Sequence, residues 1–288
     1  MNKQVNDCFW CQQPLKRELQ WQQIFRLKAL EFDCLCQNCR KEFMMYQQPK
    51  LACQTCGRAV ELCLEKWQKV LSHEANFKYG FEVEVEEGLR VEVESSRKKV
   101  ILCFDCVRWL QQFPFELLKH DTVLEYNDIF REWLYRYKYQ GDYRLKEVLV
   151  EPLKAAYHKY RDYEWLILPS SPNSLRERGF HATAGLLENA SIPFVTPFTY
   201  IGDGRKQTQK TRLDRIQLSQ PFAISDETFK ILPRKILIFD DVYTTGATLL
   251  SAKKILAEKD HVNGLTTDKL VIVSLSLSRD SQFKRDEN

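Results

Sequence analysis

Residues 235–249, K-I-L-I-F-D-D-V-Y-T-T-G-A-T-L, constrain the fold of this chain more than any other stretch. Ile236, Leu237, Ile238 and Phe239 form a short continuous apolar run between polar neighbours. Such a run suits a central strand of a parallel sheet, buried on both faces. Asp240 and Asp241 follow at once, then Thr244, Thr245, Gly246, Ala247 and Thr248, and an amphipathic helix is predicted to begin near Leu249. A strand, a small-residue loop and a helix N-terminus make an anion site. Free backbone N–H groups and the helix dipole face the loop, and threonine hydroxyls add donors. Gly246 lets backbone approach a phosphate closely. The two carboxylates have a different use: they accept hydrogen bonds from vicinal hydroxyls or help hold Mg²⁺. Phosphate beside a diol is the chemistry of a ribose 5-phosphate. A strand followed by an ordinary capped helix would account for a lone Asp-Asp or a lone Thr-Gly, but not for the whole run in order. No Gly-Lys-Ser/Thr follows the glycine, which excludes a Walker A loop.

The other half of the chain is marked by cysteine. All ten cysteines lie before residue 107, and eight of them form four C-x-x-C pairs: Cys8/Cys11, Cys36/Cys39, Cys53/Cys56 and Cys103/Cys106. Two-residue spacing lets both thiolates of a tight turn face one ion, and a tetrahedral Zn²⁺ takes two such turns. Four pairs therefore predict two structural Zn²⁺ per chain. Sequential pairing is the economical arrangement; spacing alone leaves crossed pairings open, along with a set of buried small hydrophobes. Cys34 and Cys63 stand outside the pattern as spare thiols. The N-terminus has no signal-like apolar segment and no run reaches membrane-spanning length, so a cytoplasmic protein with reduced thiols is expected. Residues 81–94, F-E-V-E-V-E-E-G-L-R-V-E-V-E, alternate with period two around Glu87-Gly88 and predict an acidic β-hairpin. It is either a solvated face or a docking surface for a basic partner. Residues 102–113 predict a helix after the last cysteine pair, ended by Pro114.

Net charge is only +4, and it is spread evenly: 17 Lys+Arg against 16 acids up to residue 118, then 26 against 23. Bulk charge therefore argues little for nucleic acid, and a local patch would have to carry it. The densest is Arg205, Lys206, Lys210, Arg212 and Arg215, in a polar, glycine-flanked loop. Residues 123–139 predict an amphipathic helix with Asn127 or Asp128 as cap and a stop at Gly141-Asp142. Short strands are expected at 165–168, 192–198 and 270–277, a helix at 181–189 with His181 as a polar starter, and a frayed charged tail from Arg279.

Residues 236–248 resemble the PRPP-binding motif of type I phosphoribosyltransferases. The resemblance implies that Asp240 and Asp241 bind the ribose hydroxyls and that the loop 244–248 wraps the 5-phosphate. It also places Ser170 and Ser171 in a pyrophosphate loop after the first strand, with Arg176 and Arg178 beside it; equally, Arg178 only pins that loop. A narrower likeness rests on Tyr126-Asn127, on Lys138-Tyr139-Gln140-Gly141-Asp142, on the N-terminal C-x-x-C pairs and on the D-D-x-x-T-T-G-A-T, all in that order. Together they resemble the ComF (ComFC) family of late-competence proteins. The chain departs from that family at Arg178-Gly179-Phe180-His181-Ala182, where R-G-F-N-Q is usual, and in the acidic hairpin.

The expected architecture is α/β: a type I phosphoribosyltransferase-like parallel sheet flanked by helices (119–288), preceded by a four-cysteine zinc-ribbon-like module (1–118). The family resemblance implies handling of incoming single-stranded DNA in the cytoplasm with a helicase-like partner, and PRPP with Mg²⁺ at the ribose site. The basic loop at 205–215 is then a weak DNA contact, a lid over pyrophosphate, or plain solvated chain. The alternative function is a working phosphoribosyltransferase of unknown acceptor. Catalytic residues and oligomeric state, homo-oligomers included, stay open.

Overall fold

The computed structural model describes residues 7–15, 34–60, 81–85, 89–93, 98–112, 118–202, 222–263 and 270–280. The loop carrying Arg205, Lys206, Lys210, Arg212 and Arg215 lies outside them, as does Cys63. In the N-terminal half a short helix α1 (Gln37–Glu42) follows Cys36. The expected hairpin is β1 (Phe81–Val85) and β2 (Leu89–Val93), with Val83 opposite Val91. A third antiparallel strand, β3 (Lys98–Ile101), pairs with β2 and was not expected. It leads into helix α2 (Phe104–Gln112), which carries Cys106.

The C-terminal half opens with β4 (Lys119–Leu124), then α3 (Asp128–Tyr139), a 3₁₀ turn at Tyr143–Leu149, and α4 (Val150–Lys159). Next come β5 (Glu164–Ile167) and two short helices, α5 (Pro172–Arg178) and α6 (Ala182–Asn189). A small antiparallel pair, β6 (Thr199–Tyr200) and β7 (Phe222–Ala223), precedes α7 (Asp226–Lys230). The chain then runs through β8 (Lys235–Tyr243), α8 (Ala247–Asn263) and β9 (Val271–Arg279).

Four strands form a parallel sheet in the order β4-β9-β8-β5, the mixed α/β class expected from sequence. Residues 236–239 of β8 are fully buried, and they alternate between two cores. Ile236 and Ile238 join one core with Cys53, Cys56, Cys103 and Cys106. Leu237 and Phe239 join the other, with Trp133, Trp165, Cys8 and Cys39. Successive strand side chains point to opposite faces, so the continuous apolar run exists because both faces of β8 are covered. The N-terminal half is fastened to the sheet edge as well. Met45 bridges Leu124, Tyr46 N–H donates to Val123 O at 3.0 Å, and His120 N–H donates to Thr55 O at 2.8 Å.

Two expectations are corrected. Residues 192–198 are not a strand; only Val195 makes a bridge to Leu166. Pro193 and Pro197 remove the N–H donors a ladder needs. The cap expected at Asn127 or Asp128 is Asn127, whose side chain accepts Phe130 N–H at 2.9 Å, so α3 begins at Asp128; of the stretch before it, Val123 and Leu124 end β4. Arg279 is no frayed tail: it ends β9 and is 3% exposed.

Candidate functional site

The carboxyl ends of β5 and β8 lie side by side, since Ile167 is opposite Phe239. Loops at the carboxyl ends of a parallel sheet are where open α/β folds place ligands. The acid pair lies within β8, directly after the strand's buried run. Asp240 and Asp241 are half-buried, and Asp240 Oδ1 accepts the Asp241 N–H at 2.8 Å. Burial first, and then the neighbouring Asp241 charge, push the Asp240 carboxyl up to about 7, against the opposing pull of Lys138. Lys138 Nζ forms an ion pair with Asp241 Oδ2. Sequence reasoning passed over this lysine as a site residue. Its only signal was the K-Y-Q-G-D stretch, because α3 brings it to β8 from about a hundred positions earlier. The turn that ends α3 is fixed by Gly141 at φ +70° and by Asp142, which pairs with Arg136 at 3.0 Å and with Arg144 at 3.1 Å.

Thr244, Thr245 and Gly246 make the turn between β8 and α8; Ala247 and Thr248 are the first residues of the helix. α8 starts two residues before the predicted Leu249. Thr245 Oγ1 accepts the Ala247 N–H at 3.4 Å, closing the turn. Gly246 sits at φ +80°, and a Cβ there would lie 2.2 Å from Tyr243 Oη. Two constraints therefore require glycine at 246 before any ligand is considered: left-handed backbone and the tyrosine beneath it.

On the β5 side, Ser171 caps α5, its Oγ accepting Ser174 N–H at 3.2 Å, with Pro172 at the first helical position. Ser170 lies just before it. Arg178 ends α5 and donates from Nε to Ser174 O at 3.2 Å, while Arg176 bonds to Asn173. The Arg178 and Asp241 charges both act on His181, Arg178 lowering its pKa and Asp241 raising it. His181 itself is a cap. Its Nε2–H donates to Leu168 O at 3.1 Å, and Nδ1 accepts from Ala184 N–H at 3.3 Å and Thr183 Oγ1–H at 3.1 Å. With both ring nitrogens engaged and burial lowering its pKa, it is a neutral structural residue rather than a base.

The eight knuckle cysteines gather into two clusters, Cys8/Cys11/Cys36/Cys39 and Cys53/Cys56/Cys103/Cys106, with the sulfurs of each within 4.8 Å of one another. This is the sequential pairing. A tetrahedral ion with about 2.3 Å metal–sulfur bonds sets its sulfurs about 3.8 Å apart. Cys11 and Cys36 stand at 3.8 Å, and Cys56 and Cys103 at 3.5 Å. Cys36 N–H also donates to Cys8 Sγ at 3.3 Å, as expected for thiolates in a knuckle. The second cluster has a further mark of charge. Arg279 is buried against it, its Nη1 donating to Cys56 O and its guanidinium 4.3 Å from the Tyr243 ring centroid. Among the described residues it has no carboxylate partner. A divalent ion held by four thiolates carries a charge of about −2, the counter-charge such a buried cation needs. The residues fit zinc, and the ion's work here would be to hold the turns together.

No protein-family profile matches the chain. Two curated relatives do, both described as "Competence protein ComFC". The protein from Streptococcus pneumoniae is 33% identical over 156 residues, which is 54% of this chain and 69% of that one. The chain belongs to the ComFC family. A second ComFC, from Bacillus subtilis, is 28% identical over 175 residues, covering 59% of this chain and 72% of its own length. Among the described residues no helix is long and apolar enough to cross a membrane.

Proposed function

We propose that this ComFC-family protein serves natural competence as a cytoplasmic factor that handles single-stranded DNA, and that it carries a ribose 5-phosphate or PRPP site at Asp240–Thr248. Family membership supports the competence role. The observation that supports the site is the sequence of carboxylate pair, turn and helix N-terminus at the carboxyl end of the buried strand β8. In this reading Asp240 and Asp241 accept hydrogen bonds from the ribose hydroxyls, and the turn at 244–248 receives the 5-phosphate. Ser170, Ser171 and Arg178, on the adjoining β5 loop, face the pyrophosphate, where Mg²⁺ joins when PRPP binds. Ser171 does so with its backbone N–H, since its hydroxyl caps α5. Lys138 holds Asp241 in place and tempers its charge. Each cysteine cluster holds one structural zinc, and residues 1–118 and 119–288 act as module and domain.

The basic loop at 205–215 supplies the DNA contact, and a helicase-like protein is the partner. Calorimetry with ribose 5-phosphate, and with PRPP plus Mg²⁺, tests the site. Micromolar to millimolar binding that is lost in Asp240→Ala is the expected result; silence in the wild type removes the ribose-phosphate reading. Pyrophosphate release on adding candidate acceptors would make the protein a phosphoribosyltransferase instead of a binding factor.

A further inference from the structure

The turn that follows the acid pair is gripped from the cysteine module. Trp109 Nε1–H donates to Thr245 O at 2.8 Å, and Arg58 Nη2 donates to Thr244 O at 3.3 Å. Both donors are themselves fixed. Trp109 is 3% exposed and stands three residues after Cys106 on α2. Arg58 stands two residues after Cys56 and pairs with Asp105, between Cys103 and Cys106. Each grip thus originates within three residues of a second-cluster cysteine.

The consequence follows from peptide geometry. In a planar trans peptide the carbonyl of one residue and the N–H of the next point in opposite directions. Holding Thr244 O toward the module turns the Thr245 N–H away from it. Holding Thr245 O turns the Gly246 N–H away likewise. Among the described residues neither N–H donates a hydrogen bond. Successive outward N–H groups beside a helix N-terminus make an anion-binding concavity, and α8, which begins at Ala247, is seventeen residues long.

We propose that the second cysteine cluster is the strut of this loop: Trp109 and Arg58 are positioning residues that hold the Thr245 and Gly246 N–H groups ready for a phosphate. The inference rests on the ribose 5-phosphate reading for its ligand, but not for its geometry. An ion at Cys53/Cys56/Cys103/Cys106 then sets the loop's affinity without touching the ligand, because it fixes the turns from which both donors spring.

The test uses the full chain. Trp109→Phe keeps a smaller aromatic ring and removes one donor; Arg58→Lys keeps a charge for Asp105 and removes the bond to Thr244. Each should weaken ribose 5-phosphate about three- to tenfold, the worth of one hydrogen bond, with metal content unchanged. Inorganic phosphate, measured by competition, should weaken by the same factor, because these N–H groups meet only the phosphate. A general loosening would reach Asp240 and Asp241 and penalise the sugar as well. Hydrogen exchange supplies the arm that needs no ligand: the peptide covering 244–250 should exchange faster in both variants, through the Ala247 and Leu250 N–H groups that bond Thr245 Oγ1 and Gly246 O across the turn. If the wild type binds no ribose 5-phosphate, the ribose reading falls while the exchange result still decides the strut. Unchanged exchange in both variants, or unchanged phosphate affinity where the wild type binds, overturns it.

Discussion

Asp240 should make this protein less stable as pH rises through neutrality, and replacing it should remove that loss. Its carboxyl titrates at about 7 in the folded chain against 3.8 as an ordinary carboxyl, mainly from burial and then from Asp241. Between those values the unfolded chain has released a proton that the folded chain retains. Stability depends on pH with a slope set by protons bound unfolded minus protons bound folded, so it falls across that window and levels off above it. Integrating with about 1.4 kcal/mol per pH unit, the loss between about pH 5.5 and 8.5 is about 2 kcal/mol, with nearly all of it below pH 7.5. Asp240→Asn keeps the shape and cannot ionise. The stability of the variant minus that of the wild type should therefore grow by about 2 kcal/mol over this range and be flat beyond. Urea unfolding at several pH values measures it. The subtraction cancels proton-linked metal release, which both proteins share. Parallel curves for the two proteins would refute the reasoning and mean that Asp240 ionises as freely folded as unfolded.

Lys138→Met removes the cation that holds the Asp240 carboxyl down; the pH at which the two curves level off should move to higher values in that background. Cys53→Ser with Cys56→Ser should lower the metal count from two to one by native mass spectrometry, with zinc as the metal in protein purified without chelators; an unchanged count would show the second cluster empty of metal. Arg279→Met should cost about 3–5 kcal/mol in unfolding free energy, because it leaves the charge of the metal–thiolate cluster buried and uncompensated; a cost below about 1 kcal/mol would show the cluster to be neutral thiols. Single-stranded DNA affinity should fall with salt at a log–log slope no steeper than about −3.5, five charges at about −0.7 each. Charge reversal at Lys206, Lys210 and Arg212 should flatten it with zinc unchanged, and a slope untouched by those changes would assign the DNA to another surface.

What the sequence revealed and what it hid have physical reasons. The β8 run was legible because a strand covered on both faces must be apolar throughout, and residues 236–239 are. The cysteine clusters were legible because their ligands come in local pairs. β4 was not. It has one exposed position, and its buried His120 is accommodated because Ser274 and Ser276 of β9 lie 2.9 and 3.1 Å from its ring nitrogens. No local pattern records such a partner. α5 had its signals, Ser171 as cap, Pro172 at the first turn and Gly179 at φ +77° after the last, and they were read as loop residues. Arg279 misled because a charged residue at a strand end is ordinarily a solvated one. Its burial is explained only by a cysteine cluster more than two hundred residues away.

The site's electrostatics bear on why two carboxylates can stand beside a loop suited to phosphate. Two full negative charges next to the proposed anion site would repel a phosphate. Here one is matched by Lys138, and the other is about half protonated at neutral pH. The pair with its lysine therefore carries a net charge of only about −0.5 near pH 7, while still offering carboxyl oxygens as acceptors. The positive end of α8 and the outward N–H groups of Thr245 and Gly246 are left to dominate the field at the turn. Three distant parts of the chain produce this balance. α3 supplies the lysine, β8 the acids, and α2 with the second cysteine cluster the grip on the turn. If the proposed site holds a sugar phosphate, protonation of Asp240 would ease phosphate binding but replace one acceptor with a donor toward the sugar. Measured as the ratio of wild-type to Asp240→Asn affinity, which cancels each ligand's own second phosphate ionisation, ribose 5-phosphate binding should then peak near neutrality, whereas inorganic phosphate binding should gain as pH falls toward 6.5. A common pH profile for the two ligands would mean that the acid pair does not touch the sugar.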